Sequence, residues 1–163
     1  MIVQIEAIVI SPDHNFVGHF GLPPGTAPAL RRERVRLVAG KGIAGDRYSR
    51  REAGHPKQIT FFDMAVIDEL GAWRGAPVPP EAVRRNVFVR GLDLPRLLGR
   101  RFGLQGVRFE ASADCAPCFW MDHAVAPGAE AFLAGKGGIR ARILTDGVLA
   151  VGAAAFALED AGP

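Results

Sequence analysis

Short apolar runs, many of them rich in β-branched residues or alternating with polar ones, dominate the hydrophobic pattern of the chain. Such runs are typical of strands. They predict strands over residues 2–10, 33–38, 58–62, 87–89, 101–104, 107–111, 139–144, 148–151 and 153–158. Asp146-Gly147, between two of these runs, is a strong hairpin-turn sequence.

Helical periodicity is confined to short stretches. Asp63 is a good cap for a helix over residues 64–70, which we expect Gly71 to end. Two further short helical segments are predicted, from Pro79 to Arg85 and from Pro127 to Gly135. The region 11–28, rich in glycine and proline, is predicted to be a loop.

These elements predict a mainly β fold of the α+β class. We expect seven or eight of the strand segments to form one β-barrel, with a few short helices inserted between them. The sequence contains neither an internal repeat nor a linker-like stretch, so residues 1–163 are expected to form a single domain.

Composition and charge limit the cellular location and the partners that we expect for the protein. No apolar run approaches the roughly 20 residues that a membrane helix needs, and the first one lacks a cationic leader. We therefore expect a cytoplasmic protein that does not span a membrane. The formal net charge is only +3, since acidic residues nearly balance the basic ones, so nucleic acid is not an expected partner.

The only two cysteines of the chain, Cys115 and Cys118, form a single C-x-x-C. A framework of structural disulfides is thereby excluded. Four interpretations remain: a zinc site short of ligands, a thioredoxin-type redox pair outside its usual βαβ unit, two inert buried thiols, and a reactive or metal-ligating thiolate on a loop.

Three arginine-containing segments bear on that choice. Arg84-Arg85-Asn86 lies at a predicted helix-to-strand junction, and Gly137-Gly138 precedes Arg140 and Arg142 on one strand face. Glycines allow close backbone approach and arginines bind phosphate in bidentate fashion, so both segments are candidate anion sites. Solvated strand faces are the alternative for these two segments, and a structural Asp–Arg pair is the alternative for Gly45-Asp46-Arg47.

The order of four motifs resembles the MOSC family, whose domain is found at the C-terminus of molybdenum cofactor sulfurases. The motifs are G-x-x-G-D-R ending at Arg47, R-R-N-x-x-V-R-G starting at Arg84, P-C at Cys118, and G-G-I-R-A starting at Gly137. Each motif is weak alone, but four in this order make a specific match, and the resemblance spans about residues 5–156. The family fold is a β-barrel, in agreement with the strand pattern.

The resemblance implies that Cys118 is the functional residue, either as a molybdenum ligand or as a persulfide sulfur carrier. Some family members pass sulfur to the molybdenum cofactor, and others use the metal to reduce N-hydroxylated compounds. Cys115 belongs to a C-x-P-C variant and is a possible accessory thiol. The residues expected around the pterin phosphate of the molybdenum cofactor (molybdopterin) are Arg47, Arg84, Arg85, Asn86, Arg140 and Arg142.

The implied partners follow from what larger family members carry. A separate electron donor or a pyridoxal-phosphate-dependent cysteine desulfurase would have to act with this chain. The alternative function is a non-catalytic carrier or chaperone that delivers cofactor or sulfur to other enzymes. A third possibility is a binding module for another anion, with inert cysteines.

Overall fold

The computed structural model describes residues 1–15 and 23–159; part of the predicted loop over 11–28, at 16–22, lies outside the described residues. The strands are β1 Ile2–Ile10, β2 Leu30–Arg31, β3 Arg34–Val38, β4 Gly42–Ile43, β5 Ile59–Asp63, β6 Val87–Arg90, β7 Arg101–Leu104, β8 Val107–Asp114, β9 Ile139–Ile143, β10 Gly147–Ala150 and β11 Gly152–Leu158. The α-helices are α1 Met64–Arg74, α2 Trp120–Ala124 and α3 Ala129–Phe132. Short 3-10 turns cover Arg47–Arg50, Pro80–Val83 and Leu94–Leu97.

Within the described residues, seven strands close into a barrel in the order β1-β6-β5-β9-β8-β7-β11, and β11 pairs back with β1. Neighbouring strands are antiparallel except β5 and β6, which run parallel. A parallel pair needs a crossover connection, and α1 lies in that connection. The predicted mainly β barrel with a few short helices is confirmed. β3, β4 and β10 form a separate small sheet beside the barrel.

The predicted strand positions agree with the structure, with bounds shifted by a few residues at most. β8 is the largest extension, since it continues to Asp114 and brings the end of the strand next to Cys115. Two very short strands, β2 and β4, were not predicted, because two residues leave no periodicity to detect.

The expectation that Gly71 ends the first helix is wrong. α1 continues to Arg74 and ends at Gly75, which adopts the left-handed conformation with φ of 81°. Gly71 lies inside the helix, where a Cβ would be only 3.3 Å from the carbonyl oxygen of Ala76. Its small size therefore serves packing against the following loop and does not terminate the helix.

Two apolar layers hold the fold together, one inside the barrel and one beneath the helices. Phe61, Phe102 and Phe109 meet inside the barrel, with ring centroids 5.3 to 5.5 Å apart. Phe62 is the next residue on β5 but faces outward, where it packs with Phe88 under the helices. β5 is apolar on both faces because one face is buried inside the barrel and the other is buried beneath the helices. No helix in the described part of the chain is both long and apolar enough to span a membrane.

Candidate functional site at Cys118

The site lies beside β5, where Val87, the first residue of β6, and Ile139, the first residue of β9, both pair with Phe61. Ser11 follows β1, Arg84 and Arg85 precede β6, and Cys115 follows β8 directly. Pairing of β1 with β6 brings Ser11 to Arg84, and pairing of β8 with β9 brings Cys115 to Gly138. Hydrogen bonds of Arg85 to Gly137 and Cys115 then join these segments beside β5.

The cysteine segment is held against the beginning of β9. The backbone N–H of Cys115 donates to the carbonyl of Gly138 over 2.9 Å. At Gly137 a Cβ would lie 2.1 Å from the carbonyl oxygen of Cys115, so only glycine permits this approach. Cys115 is buried, whereas Cys118 is partly exposed, and both thiols are free.

Arg85 fixes the same segment through its guanidinium group. Its Nε donates to Gly137 O at 2.9 Å, its Nη2 donates to the carbonyls of Cys115 and Ala116 at 3.1 and 3.2 Å, and its Nη1 donates to Val83 O at 3.3 Å. A guanidinium has five N–H donors, so this one is nearly saturated by backbone. Arg85 positions the cysteine segment.

Asn86 joins β1, β5 and the Asp46 turn. Its Oδ1 accepts from the backbone N–H and the hydroxyl of Thr60, and its Nδ2 donates to Val9 O. The side-chain amide is fully buried and occupied by these bonds. Asn86 was expected beside the cofactor phosphate. In the structure its polar atoms are instead hydrogen-bonded to the protein's own backbone and side chains.

Arg84 bonds to residues before and after the undescribed stretch 16–22. It also lines a small cavity at Cys118, described below. Its Nη2 donates to Ser11 Oγ at 2.8 Å and to Asp13 O at 2.7 Å, and its Nη1 donates to Ala27 O at 3.3 Å. Two of its five N–H groups remain without a partner among residues 1–15 and 23–159. Its backbone adopts φ of 53°, which is uncommon for a non-glycine residue.

Arg47 lies next to Arg84 and is held by a capped turn. Asp46 accepts from the backbone N–H of Tyr48 and from Arg47 Nη1, the latter at 3.2 Å. Arg47 also donates to Arg84 O at 3.3 Å and stacks over the Tyr48 ring at 4.6 Å. The structural Asp–Arg pair therefore exists, and the same arginine also faces the hollow.

The Cys118 hollow is the cavity of about 90 Å³ that these residues surround. Its walls are Cys118, the three arginines just described, and His14, Asn15, Tyr48, Val83 and Trp120. The three guanidinium-bearing residues are 7 to 9% exposed. Among the described residues, Asp46 is the one carboxylate bonded to any of them. The hollow is therefore net positive.

The pKa values around the hollow show the same excess of positive charge. Burial and the neighbouring Arg47 lower the pKa of Arg84 to about 10, which still leaves it protonated at neutral pH. Burial, Arg47 and Arg51 lower the pKa of His14. A bound anion would oppose the charge part of both shifts, so the hollow favours an anion over a cation.

Arg140 and Arg142 do not line the Cys118 hollow. Ile139, Ala141 and Ile143 point into the barrel, so both arginines point outward from β9. Arg142 donates to Glu110 at 3.1 Å, and Glu110 also binds Arg101. The shared face was predicted from strand alternation, but the sequence did not show that this face lies outside.

Arg140 instead lies near Lys57, which is also close enough to Cys115 to interact with it electrostatically. Ser112 Oγ contacts the carbonyl oxygens of both Pro56 and Arg140 at 3.3 Å, which places the two chains side by side. Burial, Arg140 and Arg51 lower the pKa of Lys57, so this neighbourhood is also positive.

Sequence reasoning missed several residues of the hollow. His14, Tyr48 and Trp120 line it without belonging to any of the recognised motifs. Trp120 donates its indole N–H to Ala82 O at 2.8 Å and lies under the Arg84 guanidinium at 5.4 Å. Its proximity to Cys118 in sequence was the one available sign.

The zinc interpretation finds no support in the described parts of the chain. They contain no group of three or more histidine, cysteine or carboxylate side chains arranged to hold a metal ion. Cys118 thus stands as a single thiol in a positive hollow.

This combination of barrel, cysteine loop and arginines agrees with a family comparison. A model of the MOSC domain matches residues 48–155, which is more than half of the chain. The chain belongs to the MOSC domain family. The match contains the R-R-N, P-C and G-G-I-R-A motifs, and Arg47 immediately precedes it.

Solved structures of similar fold support the MOSC architecture. The YuaD protein from Bacillus subtilis is 20% identical, with a TM-score of 0.74 over 96% of this chain and 95% of that one. YiiM from Geobacillus stearothermophilus is 18% identical, with a TM-score of 0.71 over 97% and 75% of the two chains. YiiM from Escherichia coli is 14% identical, with a TM-score of 0.63 over 96% and 70%. No curated protein sequence matches this chain.

Proposed function

We propose that this MOSC protein binds the molybdenum cofactor, with Cys118 as the molybdenum ligand or as the carrier of sulfur. The observation that carries the proposal is that Cys118 shares one hollow with three buried arginines and a single bonded carboxylate in the described chain. A soft thiolate beside an anion site suits a cofactor that combines a soft-ligand metal with a phosphate.

The size of the hollow limits which part of the cofactor it fits. About 90 Å³ corresponds to roughly three water molecules at their share of liquid volume. That volume is large enough for a phosphate group. Arg47 and Arg84 have N–H groups left for the phosphate, and Arg85 holds the cysteine segment in place.

When bound, the cofactor supplies a redox-active metal at Cys118. The chain's own contribution is to hold the thiol at a partly exposed position and to surround it with fixed positive charge. Preorganised guanidinium groups stabilise an anion without reorganising on binding. The proposal includes a cytoplasmic location, where thiols such as Cys115 and Cys118 stay reduced.

The direct test is analysis of metal and pterin in protein purified from a host that makes the cofactor. We expect wild type and Cys115→Ser to retain both, and Cys118→Ser to lose molybdenum, because serine is a poor soft-metal ligand. Arg142→Met is the matched arginine control and should retain the cofactor. Arg84→Met should lose pterin. If the Cys115→Ser protein contained no cofactor and the Cys118→Ser protein retained it, the roles assigned to the two cysteines would be reversed.

The same purified protein separates enzyme from carrier. Reduction of an N-hydroxylated base by the loaded protein and a chemical or flavoprotein electron donor supports the reductase. Transfer of cofactor or sulfur to an apoenzyme, without such reduction, supports the carrier. Wild-type protein that retains no pterin would favour a binding module for another anion.

A further inference from the structure

A second and larger cavity, which we call the Leu92 hollow, is lined in part by Asp114, the residue before Cys115. Its volume is about 440 Å³. It is bounded by the beginning of α1, by residues 90–95, by the end of β8 and by residues 135–139. Cavities of roughly 300 to 1,000 Å³ are the usual size for small-molecule sites.

The walls of the Leu92 hollow are largely apolar. They include Val66 from α1, Leu92, Leu94 and Pro95 from the loop after β6, and Ile139 from β9. An apolar ligand body that covers such a wall gains about 25 cal/mol for each Å² removed from water. The hollow therefore suits a ligand with a flat or compact apolar part.

Acidic groups surround these walls. Asp63, Asp93 and Asp114 all line the hollow. The two cations in its wall are already neutralised, because Arg90 binds Glu6 and Asp68, and Lys136 binds Glu69. The Leu92 hollow is therefore net negative, opposite in sign to the Cys118 hollow.

The three carboxylates differ in what they already bind. Asp63 caps α1 by accepting from the N–H of Ala65 at 2.9 Å, and Asp93 pairs with Arg96 at 3.1 Å. The carboxylate of Asp114, the last residue of β8, has no hydrogen-bond or ionic partner within residues 1–15 and 23–159. Its carboxylate is the acceptor that remains for a ligand.

We propose that the Leu92 hollow binds a small organic cation, an amidinium, guanidinium or protonated amine on an apolar body, with Asp114 as its counter-ion. The site is distinct from the Cys118 hollow and from the cofactor role proposed there. A bare metal ion does not fit, because the described carboxylates form no group that could ligate one. A purely apolar ligand would leave Asp114 unpaired beside it.

The test uses benzamidine as the probe, with benzamide as its neutral isostere and benzoate as its anionic counterpart. Binding to the full chain is followed by amide chemical shifts in two-dimensional NMR at millimolar probe. We expect benzamidine to shift amides of residues 91–94 and 135–139, benzamide to bind more weakly, and benzoate to leave them unchanged. Absence of benzamidine binding, or equal binding of benzoate, would overturn the proposal.

Two variants locate the contact. Asp114→Asn should weaken benzamidine binding by about fivefold, as expected for an exposed ion pair. Glu52→Gln, an exposed carboxylate on another segment, should leave it unchanged. Val66→Phe should block the apolar wall for benzamidine and benzamide alike. Benzamidine affinity that survives both Asp114→Asn and Val66→Phe would place the cation elsewhere and sink the assignment.

Discussion

The arginines around Cys118 and those on the outer face of β7 to β9 belong to one barrel but bind different partners. Arg84 and Arg85 are buried and donate mainly to backbone carbonyl oxygens. Arg101 and Arg142 are 57% and 41% exposed at the side chain and share the carboxylate of Glu110. A neutral carbonyl accepts hydrogen bonds from an arginine without cancelling its positive charge, whereas a carboxylate cancels that charge. Only the arginines around Cys118 therefore keep a positive electrostatic potential that attracts an anionic ligand.

The largest expected effect is on folding. Arg85→Met should lower the free energy of unfolding by about 3 kcal/mol, because it leaves buried carbonyls of the cysteine segment without donors. Urea denaturation of the variant and of Arg142→Met measures the difference between the two arginine groups. An equal loss of stability in the two variants would contradict the conclusion that buried Arg85 contributes more to stability than exposed Arg142.

The next effect concerns anion affinity. Arg84→Met should weaken binding of inorganic phosphate by about tenfold, equivalent to about 1.4 kcal/mol, as measured by calorimetry. Arg84 also anchors Ala27 and Asp13, so the control is Ser11→Ala, which removes the hydroxyl bonded to Asp13 O and Pro28 O without removing charge or a wall residue of the hollow. If Ser11→Ala loses as much affinity, the order of the segment and not the charge determines binding.

A smaller effect is expected at His14. Burial and the positive neighbours Arg47 and Arg51 hold its pKa below the ordinary value, so protonation is disfavoured in the folded protein. Phosphate in the hollow would offset those cations, and the pKa of His14 should therefore rise. NMR titration of the imidazole with and without phosphate checks the sign. A pKa that stays fixed would show that phosphate binds outside the hollow.

The smallest effect is expected on the outer face. Hydrogen bonds from Arg101, then from Arg142, lower the pKa of Glu110, yet both arginines are well solvated. Glu110→Gln should change the free energy of unfolding by about 0.5 kcal/mol or less. Thermal and urea unfolding at low and high salt measure it. A loss as large as that of Arg85→Met would give the outer network a structural role that its solvent exposure argues against.

Strand alternation made most of the barrel predictable. The apolar runs at β1, β7 and β11 specify strands in any context that buries one face, and the structure has them there. The extent of α1 was not predictable, because a glycine inside a helix and a glycine that ends one look alike in sequence. The deciding contact of Gly71 is with Ala76.

The site was only partly predictable for a related reason. Arg84 and Arg142 look alike in sequence, because each lies within two residues of another arginine and within four of a glycine or asparagine. What distinguishes the two arginines is the strand register, which pairs Arg142 with Glu110. A pairing between strands tens of residues apart cannot be predicted from either segment alone. Cys118 was identified because a motif names it, whereas His14 and Tyr48 reach the hollow through contacts that only the fold creates.

The pairing of β1 with β11 also has a consequence for synthesis on the ribosome. β1 lies between β6 and β11 in the barrel, and Ile2 is paired with Ala155. Because β1 precedes β11 by most of the domain, it obtains this barrel neighbour only when residues 152–158 have left the exit tunnel. Contacts of such long sequence separation fold slowly. We expect nascent chains that end before β11 to leave one edge of residues 2–5 unpaired, which makes them substrates for chaperones and proteases until β11 can pair there.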